Sequence, residues 1–329
     1  MDFRTPVIIP ESTFRIDHST KMMLLGSCFS ENISTRLQEY KFLVKTNPFG
    51  IVYNPFSVAA VVKRLLSNKG FDETDLVFHD NVYQSFLHHG LFSHPDKNRC
   101  LGNISRSFDE AAGFILKTDV FLITFGTAYV YKLKSTGEVV ANCHKFPSSA
   151  FVRERLTIEE IVKEWSSVIN AISAHHPAAK FIFTVSPIRH WKDGAHENQI
   201  SKSILHLAID RLQKMYAPTL SYFPAYEILL DELRDYRFFA EDMMHPSSVA
   251  IEYIWERFGE TFFTRETIRA NSEWDQINRS LDHRPLNNQT ENYRHFLKQT
   301  LQKLILFRQN HPQIDCSREI EELTEKTDK

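Results

Sequence analysis

The sequence has few of the features that mark several large classes of protein. Its four cysteines, at positions 28, 100, 143 and 316, show neither the spacing of a zinc site nor that of a compact disulfide framework. A formal charge of −2 over 329 residues provides no broad field that would attract nucleic acid or an anionic membrane. No run of about 18 apolar residues occurs, so no membrane span is predicted. We therefore expect neither a nucleic-acid partner nor a membrane partner.

The chain also lacks internal repeats and a recognisable targeting segment. Its first residues have neither the basic start nor the apolar stretch of a secretory signal, so a cytoplasmic location is expected. What is present is ordinary for a soluble globular protein, with 42% hydrophobic and 24% charged residues. A chain of this length can hold one large α/β core with an appendage. Nothing in the pattern specifies an oligomeric state.

The most informative stretch begins with a short apolar run at residues 22–25, which predicts a buried strand leading into Gly26 and Ser27. Apolar residues at helical spacing follow, and Ser30 is placed to cap that helix. A serine just before a helix lies where unpaired N–H groups and the helix dipole favour negative charge, such as an oxyanion or a phosphate. The same residues are equally compatible with a plain strand-to-helix turn.

A second motif lies near the end of the globular region, where Asp242 and His245 are three residues apart in a predicted loop. A serine at neutral pH is a poor nucleophile and needs an adjacent base, which in turn needs an orienting acid. Asp242 and His245 can supply both groups. Pro246 is predicted to lie in the first turn of the next helix, and a histidine that only caps this helix is the alternative interpretation.

These residues carry a resemblance to a known family. Residues 26–30 (GSCFS) closely match the motif that names the GSCFA family, with Ser30 in place of the final alanine. Further blocks that resemble the family are spread over roughly residues 5 to 265: 47–55 (NPFGIVYNP), 125–127 (FGT), 142–145 (NCHK) and 186–190 (SPIRH). The family resembles a branch of the SGNH/GDSL hydrolases, whose serine lies in an early block and whose acid and base lie in a late Asp-x-x-His block.

The resemblance implies a Ser-His-Asp triad that needs no cofactor and no metal. Ser27 would be the nucleophile and His245 the general base, while Asp242 would hold the imidazole in the right tautomer. The implied activity is that of an esterase or deacetylase acting on O-acylated carbohydrate, so the partner would be a small-molecule or oligosaccharide ester. An O-acyltransferase with the same triad and a non-catalytic carbohydrate-binding protein are the alternatives.

An oxyanion hole is expected from the backbone N–H groups of Ser27 and Gly50, completed by Thr127 or Asn142. Gly50 lies between two prolines, where its bare backbone can approach a bound carbonyl or can simply form an ordered turn. The wider superfamily carries Gly-x-Asn-Asp where this chain has residues 126–129 (GTAY). Because the usual asparagine is missing, the third donor stays open between Thr127 and Asn142.

Five further residues are candidates for substrate binding. Arg189 and His190 leave the C-terminal end of a predicted strand, where open parallel sheets place their ligands. His144 follows the predicted β-hairpin, and Asn47 and Tyr53 belong to the block with two prolines. Solvated surface residues, or a hydrogen-bonded turn in the case of His144, are the competing interpretations.

The predicted fold is a three-layer α/β/α sandwich with a mostly parallel sheet, as in SGNH hydrolases. A β-hairpin at residues 129–142 is inserted into it. We divide the chain into a catalytic domain, residues 1–263, and a helical extension packed on it, residues 264–329. The last dozen residues alternate acids and lysines and are expected to form a solvated tail.

Two residue groups invite other chemistry. Four histidines between residues 79 and 94 do not have the spacing of a metal site, and clustered loop histidines are usually solvated. Cys28 could act as a nucleophilic thiol at the helix N-terminus. Its side chain is expected to point away from that of Ser27 and into the core, which disfavours this alternative.

Overall fold

The computed structural model describes residues 4–283 and 291–327. Within them the strands are β1 (Lys21–Gly26), β2 (Leu43–Thr46), β3 (Val77–His79), β4 (Val82–Gln84), β5 (Val120–Phe125), β6 (Tyr129–Leu133), β7 (Val139–Val140), β8 (Phe151–Arg155), β9 (Lys180–Val185) and β10 (Leu220–Tyr222). The helices are α1 (Cys28–Glu39), α2 (Pro55–Leu66), α3 (Lys97–Ile115), α4 (Ile158–His175), α5 (Gly194–Tyr216), α6 (Ala225–Glu227), α7 (Ser248–Phe262), α8 (Arg265–Leu281), α9 (Glu291–Asn310) and α10 (Ser317–Thr327). No helix of this described part is long and apolar enough to cross a membrane.

Five parallel strands form the central sheet in the order β10-β9-β5-β1-β2. All six residues of β5 are buried, as expected for a parallel strand that is covered on both faces. Helices α2 to α5 pack on one face of the sheet, and α1 and α7 pack on the other. The predicted three-layer sandwich is therefore confirmed.

β1 ends at Gly26 because only glycine fits there. Its φ of +132° is one that residues with a side chain rarely adopt, and a Cβ built on it would lie 2.1 Å from the carbonyl oxygen of Thr124 in β5. The chain can thus turn sharply at the end of the strand. Ser27 follows at once as the N-cap of α1, with its hydroxyl accepting from the backbone N–H of Phe29 at 3.3 Å.

The prediction that Ser30 caps this helix is wrong, since α1 begins two residues before it. Ser30 is completely buried, and its hydroxyl donates to the hydroxyl of Thr124 at 2.8 Å. The serine that replaces the alanine of the family motif therefore links α1 to the neighbouring strand β5. The prediction that Pro246 lies in the first turn of the next helix is also wrong, because α7 begins two residues later, after the N-cap Ser247.

The inserted hairpin is part of a larger antiparallel sheet. β6 pairs with β7 as predicted, and it also pairs along its full length with β8, which was not predicted. Only the first of the five residues of β8 is buried, so this strand has no alternation of apolar and polar residues that would reveal it. The sheet projects beyond the carboxyl end of β5 and so stands over that edge of the central sheet.

The histidine-rich segment is more buried than its sequence suggests. His88 has no exposed surface and stacks on Phe49 at 4.5 Å between ring centroids, with Phe71 and Phe92 edge-on at 4.8 and 5.1 Å. Neither of its ring nitrogens has a hydrogen-bond partner among the residues that the structure describes. The expectation that these histidines are solvated is therefore wrong for His88. Among the described residues no group of three or more His, Cys, Asp and Glu side chains is arranged to hold a metal.

The last three helices share a small core of their own that packs against Tyr40 at the end of α1. The indole N–H of Trp274 donates to the carbonyl of Glu39 at 2.8 Å, and Lys41 forms an ion pair with Glu319 of α10. Leu323 in α10 is 3% exposed. The expected solvated tail is instead a helix up to residue 327, docked through Leu323 while most of its other side chains are exposed. Residues 328–329 lie outside the described part of the chain. Residues 284–290, within the predicted extension, also lie outside it.

Candidate active site

A cavity of about 580 Å³ opens at the carboxyl edge of the central sheet. Its wall takes residues from the segments that follow three neighbouring strands: Ser27 after β1, Thr127 after β5, and Ser186 and Arg189 after β9. The antiparallel sheet supplies a second wall, and His245 enters from the loop before α7. Parallel α/β sheets characteristically bind ligands at this edge.

Ser27 lies at the floor of this cavity. It is 2% exposed, and its extended backbone (φ −70°, ψ 173°) places it as the N-cap of α1. No hydrogen bond within the described residues engages its backbone N–H. An unpaired amide at a helix N-terminus, beside a hydroxyl, favours a developing negative charge at this point.

Asp242 and His245 form a closed unit in the loop before α7. The carboxylate accepts from the backbone N–H groups of Met244 and His245, each at 2.9 Å, and from Nδ1 of His245 at 2.5 Å. These hydrogen bonds lower the pKa of Asp242 to about 2, so it is ionised at neutral pH. Because the carboxylate accepts from Nδ1, that nitrogen carries the proton and Nε2 presents its lone pair.

Ser27 and His245 face the same cavity without a hydrogen bond between them in the described structure. Within the described residues the His245 ring makes one hydrogen bond, from Nδ1 to Asp242, and its Nε2 has no partner. His245 is about half exposed, at the cavity mouth, whereas Ser27 is buried at its floor. Ser27 and His245 therefore line one cavity, and Asp242 is joined to them through its hydrogen bond with Nδ1 of His245.

The predicted oxyanion donors divide into those that are free and those that are not. The N–H of Gly50 donates to the carbonyl of Asn47 at 2.7 Å, and Gly50 is absent from the cavity wall. The prediction that Gly50 supplies a donor is therefore corrected, since its N–H closes a turn. The N–H of Thr127 is likewise taken, by the carbonyl of Tyr53 at 3.2 Å.

Two side-chain donors remain at the cavity wall. The hydroxyl of Thr127 accepts from the N–H of Tyr129 and lies 3.2 Å from the hydroxyl of Ser201. Asn142 accepts from the N–H of His144 through Oδ1, while no hydrogen bond in the described residues uses its Nδ2. Among the described residues, Asn142 thus offers an unused side-chain amide N–H at the cavity wall.

Of the predicted substrate-binding residues, Tyr53, Arg189 and His190 line the cavity. Burial, together with nearby cations, lowers the pKa of His190 to about 4, so its imidazole is neutral at pH 7. Asn47 and His144 do not line the cavity. Oδ1 of Asn47 accepts from the N–H of Gly26 at 2.9 Å, and Nε2 of His144 donates to the carbonyl of Ser85 at 2.7 Å.

Asn47 and His144 thus hold the backbone near the site, and their prediction as substrate contacts is corrected. Both side chains form hydrogen bonds with backbone groups, as buried polar side chains usually do. Asn47 supports the turn that presents Ser27. His144 supports the segment that presents Asn142.

Lys202 was missed by the sequence analysis, although it lies directly behind the site. Its ammonium group is completely buried and donates to the carbonyls of Gly126 and Ser186, each at 2.7 Å. Burial lowers its pKa to about 7. The signal that could have found it is its place on the buried face of α5, three and seven residues before Leu205 and Ile209.

Cys28 also differs from expectation. It lines the cavity beside Ser27 and does not turn into the core. Burial raises the pKa of its thiol, with Glu31 adding to the shift, so the thiol stays protonated. A protonated thiol is a weak nucleophile, which disfavours Cys28 as the reacting group.

The model of the GSCFA family matches residues 21–258, and that of the GSCFA domain protein, C-terminal domain, matches residues 274–329. No curated protein matches the chain.

Solved structures that are similar to this chain include a carbohydrate esterase family 3 protein from Talaromyces cellulolyticus. It is 11% identical, with a TM-score of 0.35, and the match covers 77% of this chain and 99% of that one. An acetyl xylan esterase, Est2A, from the rumen bacterium Butyrivibrio proteoclasticus is also 11% identical (TM-score 0.38, 74% and 63%). A family 3 carbohydrate esterase from Clostridium thermocellum is 9% identical (TM-score 0.36, 76% and 98%). Likeness at this level does not bear on activity. The family models, in contrast, cover most of the sequence, and the chain belongs to the GSCFA family.

Proposed function

We propose that this protein is a serine esterase of the SGNH type that uses Ser27, His245 and Asp242 as its triad. The observation that carries the proposal is that a helix-capping serine with a free amide shares one cavity with a histidine whose Nδ1 is held by a carboxylate. These are the three groups that an activated serine requires. The family membership supports the same assignment.

In the proposed reaction, Oγ of Ser27 attacks the ester carbonyl carbon while Nε2 of His245 accepts the hydroxyl proton. The tetrahedral intermediate collapses with cleavage of the bond to the alcohol oxygen, and His245 returns the proton to that oxygen. Water then attacks the acyl-enzyme by the same proton route and releases the acid and Ser27. Asp242, ionised throughout, stabilises the imidazolium that forms in each half.

The negative oxygen of the intermediate would be bound by the backbone N–H of Ser27 and by Nδ2 of Asn142, with the hydroxyl of Thr127 as a third donor. Each donor of this kind typically contributes about 3 kcal/mol to lowering the barrier. Gly50 is left out of this set because its N–H is already engaged. Asn142 takes the place of the superfamily asparagine from a different segment of the chain.

For the substrate we propose an O-acylated carbohydrate with a short acyl group. The cavity wall offers the rings and hydroxyls of Tyr53, Tyr129 and Tyr131, a neutral imidazole from His190 and the amide of Asn142. Tyrosine rings combine an apolar face with a polar edge, which suits the mixed surface of a sugar. All four cysteines are free thiols, in keeping with a reducing cytoplasm as the proposed location.

Fluorophosphonate labelling tests the nucleophile. We expect one covalent adduct, located on Ser27 by mass spectrometry, in the wild type and in the Cys28→Ser variant. Ser203→Ala is the matched control, since Ser203 lies on the exposed side of α5. An adduct on Cys28 would contradict the assignment.

Hydrolysis of p-nitrophenyl acetate tests turnover. Ser27→Ala should abolish it and His245→Ala should lower it by about 10³-fold or more. Folding of each variant is checked by circular dichroism. A folded wild type that neither reacts with the fluorophosphonate nor hydrolyses the ester would instead favour a non-catalytic carbohydrate-binding protein.

A further inference from the structure

The charges on the cavity wall are unbalanced. Among the described residues, the arginine, lysine and acidic side chains that line it are Arg153, Arg189, Lys192 and Asp193. Arg153 is neutralised by an ion pair with Asp193. Neither Arg189 nor Lys192 has a carboxylate within ion-pairing distance in the described part of the chain. The cavity therefore carries two positive charges that the protein itself does not compensate.

Arg189 is held by aromatic rings and not by acids. Its guanidinium carbon lies 5.5 Å from the ring centre of Trp191 and 5.8 Å from that of Phe239. Contacts with ring faces orient a guanidinium while leaving its N–H donors unused. No hydrogen bond in the described residues uses them. Phe239 forms a β-bridge with Pro246, the residue after His245, and both Arg189 and His245 line the cavity.

Lys192 lies three residues further along the same segment. Its ammonium donates to the hydroxyl of Tyr131 at 3.3 Å and lies 5.4 Å from the centre of that ring, so two of its N–H donors stay free. Tyr131 belongs to β6, in the wall opposite the central sheet. The two cations thus lie on the segment that connects β9 to α5 and face the space that the substrate would occupy.

We propose that the acylated carbohydrate carries an anionic group, a carboxylate or a phosphate, that is bound by Arg189 and Lys192. This inference rests on the proposed esterase function and narrows its substrate class. A planar guanidinium binds either group through two parallel hydrogen bonds, and a nearby ammonium adds a second charge. A neutral sugar would leave both cations without a counter-charge next to aromatic rings.

The test compares three acetylated sugars that differ in one position: O-acetyl glucose, O-acetyl glucuronate and O-acetyl glucose 6-phosphate. We expect kcat/KM for at least one anionic substrate to exceed that for the neutral one by about tenfold or more. Which anionic substrate is preferred tells the carboxylate from the phosphate. The preference should fall as salt is added, because the cations are partly solvated.

Arg189→Gln and Lys192→Gln should each reduce this anionic-to-neutral ratio, and the double variant should bring it close to one. Lys214→Gln is the matched control: Lys214 is exposed at the other end of α5, so the ratio should stay at its wild-type value. A wild type that hydrolyses the neutral ester as fast as the anionic ones, or a double variant that keeps the ratio, overturns the inference while the esterase stands.

A binding measurement separates this inference from the proposed function. Calorimetry with glucuronate, glucose 6-phosphate and glucose should show binding of an anionic sugar that is weakened in the double variant, whether or not the ester is turned over. Equal binding of all three sugars, or binding that survives the double substitution, contradicts the inference independently of any activity. Loss of activity alone contradicts only the esterase.

Discussion

Lys202 donates a hydrogen bond of 2.7 Å to the carbonyl of Ser186, the residue that follows β9 and lines the cavity. The same ammonium binds the carbonyl of Gly126, the residue that follows β5. One buried side chain therefore joins the ends of two neighbouring strands at the edge of the candidate site. Both carbonyls would be left without this donor if the lysine were lost.

Lys202→Met is accordingly expected to destabilise the protein by about 2–3 kcal/mol, because it leaves two buried carbonyls unpaired. It should also lower esterase activity, since the backbone at Ser186 and Gly126 is no longer fixed. Urea unfolding and the rate with p-nitrophenyl acetate measure the two effects. Lys214→Met, at an exposed position of the same helix, is the control. Equal stability of the two variants would show that the buried ammonium contributes nothing.

Gly26→Ala is expected to be among the most damaging single substitutions in the chain. Its Cβ would meet the Thr124 carbonyl at 2.1 Å, at a φ of +132°. We expect a loss of more than about 4 kcal/mol or failure to fold. Gly102→Ala is the matched control, because Gly102 lies within α3 with nothing near its Cβ position. That variant should gain up to about 1 kcal/mol from helix propensity. A Gly26→Ala protein of wild-type stability would refute the steric argument.

The hydrogen bond between Ser30 and Thr124 can be measured by a double-mutant cycle. Ser30→Ala restores the alanine of the family motif but leaves the buried Thr124 hydroxyl unpaired, so we expect a loss of about 1–2 kcal/mol. Thr124→Val in the same background should recover much of this loss, with a coupling energy of about 1 kcal/mol. Chemical unfolding of the four proteins gives the value. A coupling near zero would mean that the two hydroxyls do not stabilise one another.

His88 should make the protein sensitive to acid. Burial lowers its pKa in the folded state to about 3, below the value of 6.5 for a free histidine. As the pH falls, the unfolded chain binds a proton at His88 before the folded protein does. The free energy of unfolding is therefore unaffected by His88 above pH 6.5 and decreases as the pH falls from 6.5 towards 3. The loss is at most about 1.4 kcal/mol per pH unit.

His88→Phe removes this dependence and suits the surrounding aromatic rings. The stability of the variant relative to the wild type should therefore rise between pH 7 and pH 4, as measured by urea unfolding. His295→Phe, exposed on α9, serves as the control and should follow the wild-type profile. Parallel curves for His88→Phe and the wild type would contradict the prediction.

Asn142→Asp tests the proposed oxyanion donor with little disturbance of the turn. Asp keeps the oxygen that accepts from the N–H of His144 but replaces Nδ2 by a second, negatively charged oxygen. We expect kcat to fall by about 10²-fold or more, with the fold intact. Cys143→Ser, at the neighbouring position in the cavity wall, is the control. An Asn142→Asp enzyme with wild-type kcat would exclude this side chain as a donor.

Secondary structure and local contacts could be predicted from the sequence where a residue pattern is typical of a single structure. The apolar runs of β1, β5 and β9 are continuous because these strands are buried on both faces. The run at residues 22–25 predicted β1 to within one residue at each end. Asp242 and His245 could be paired because they are three apart in a loop. Local spacing alone places their side chains in contact.

The predictions that failed depend on contacts between distant segments. Whether the N–H of Gly50 is free depends on a turn with Asn47, and whether His144 reaches the cavity depends on Ser85. Lys202 was overlooked because charged residues are normally exposed, and only the two strand-end carbonyls make its burial favourable. The partners of Gly50 and His144 are facts of tertiary structure that residue patterns do not carry.

The contacts of α1 have a consequence for the role of the C-terminal helices. Ser27 caps one end of this twelve-residue helix, while the carbonyl of Glu39 at the other end accepts from Trp274. Twelve helical residues span about 18 Å and behave as a stiff rod. A chain shortened at residue 263 would retain every proposed catalytic residue but would lose the contact between Trp274 and the C-terminal end of α1. The alignment of the nucleophile thus depends in part on a region whose described residues contribute nothing to the cavity wall.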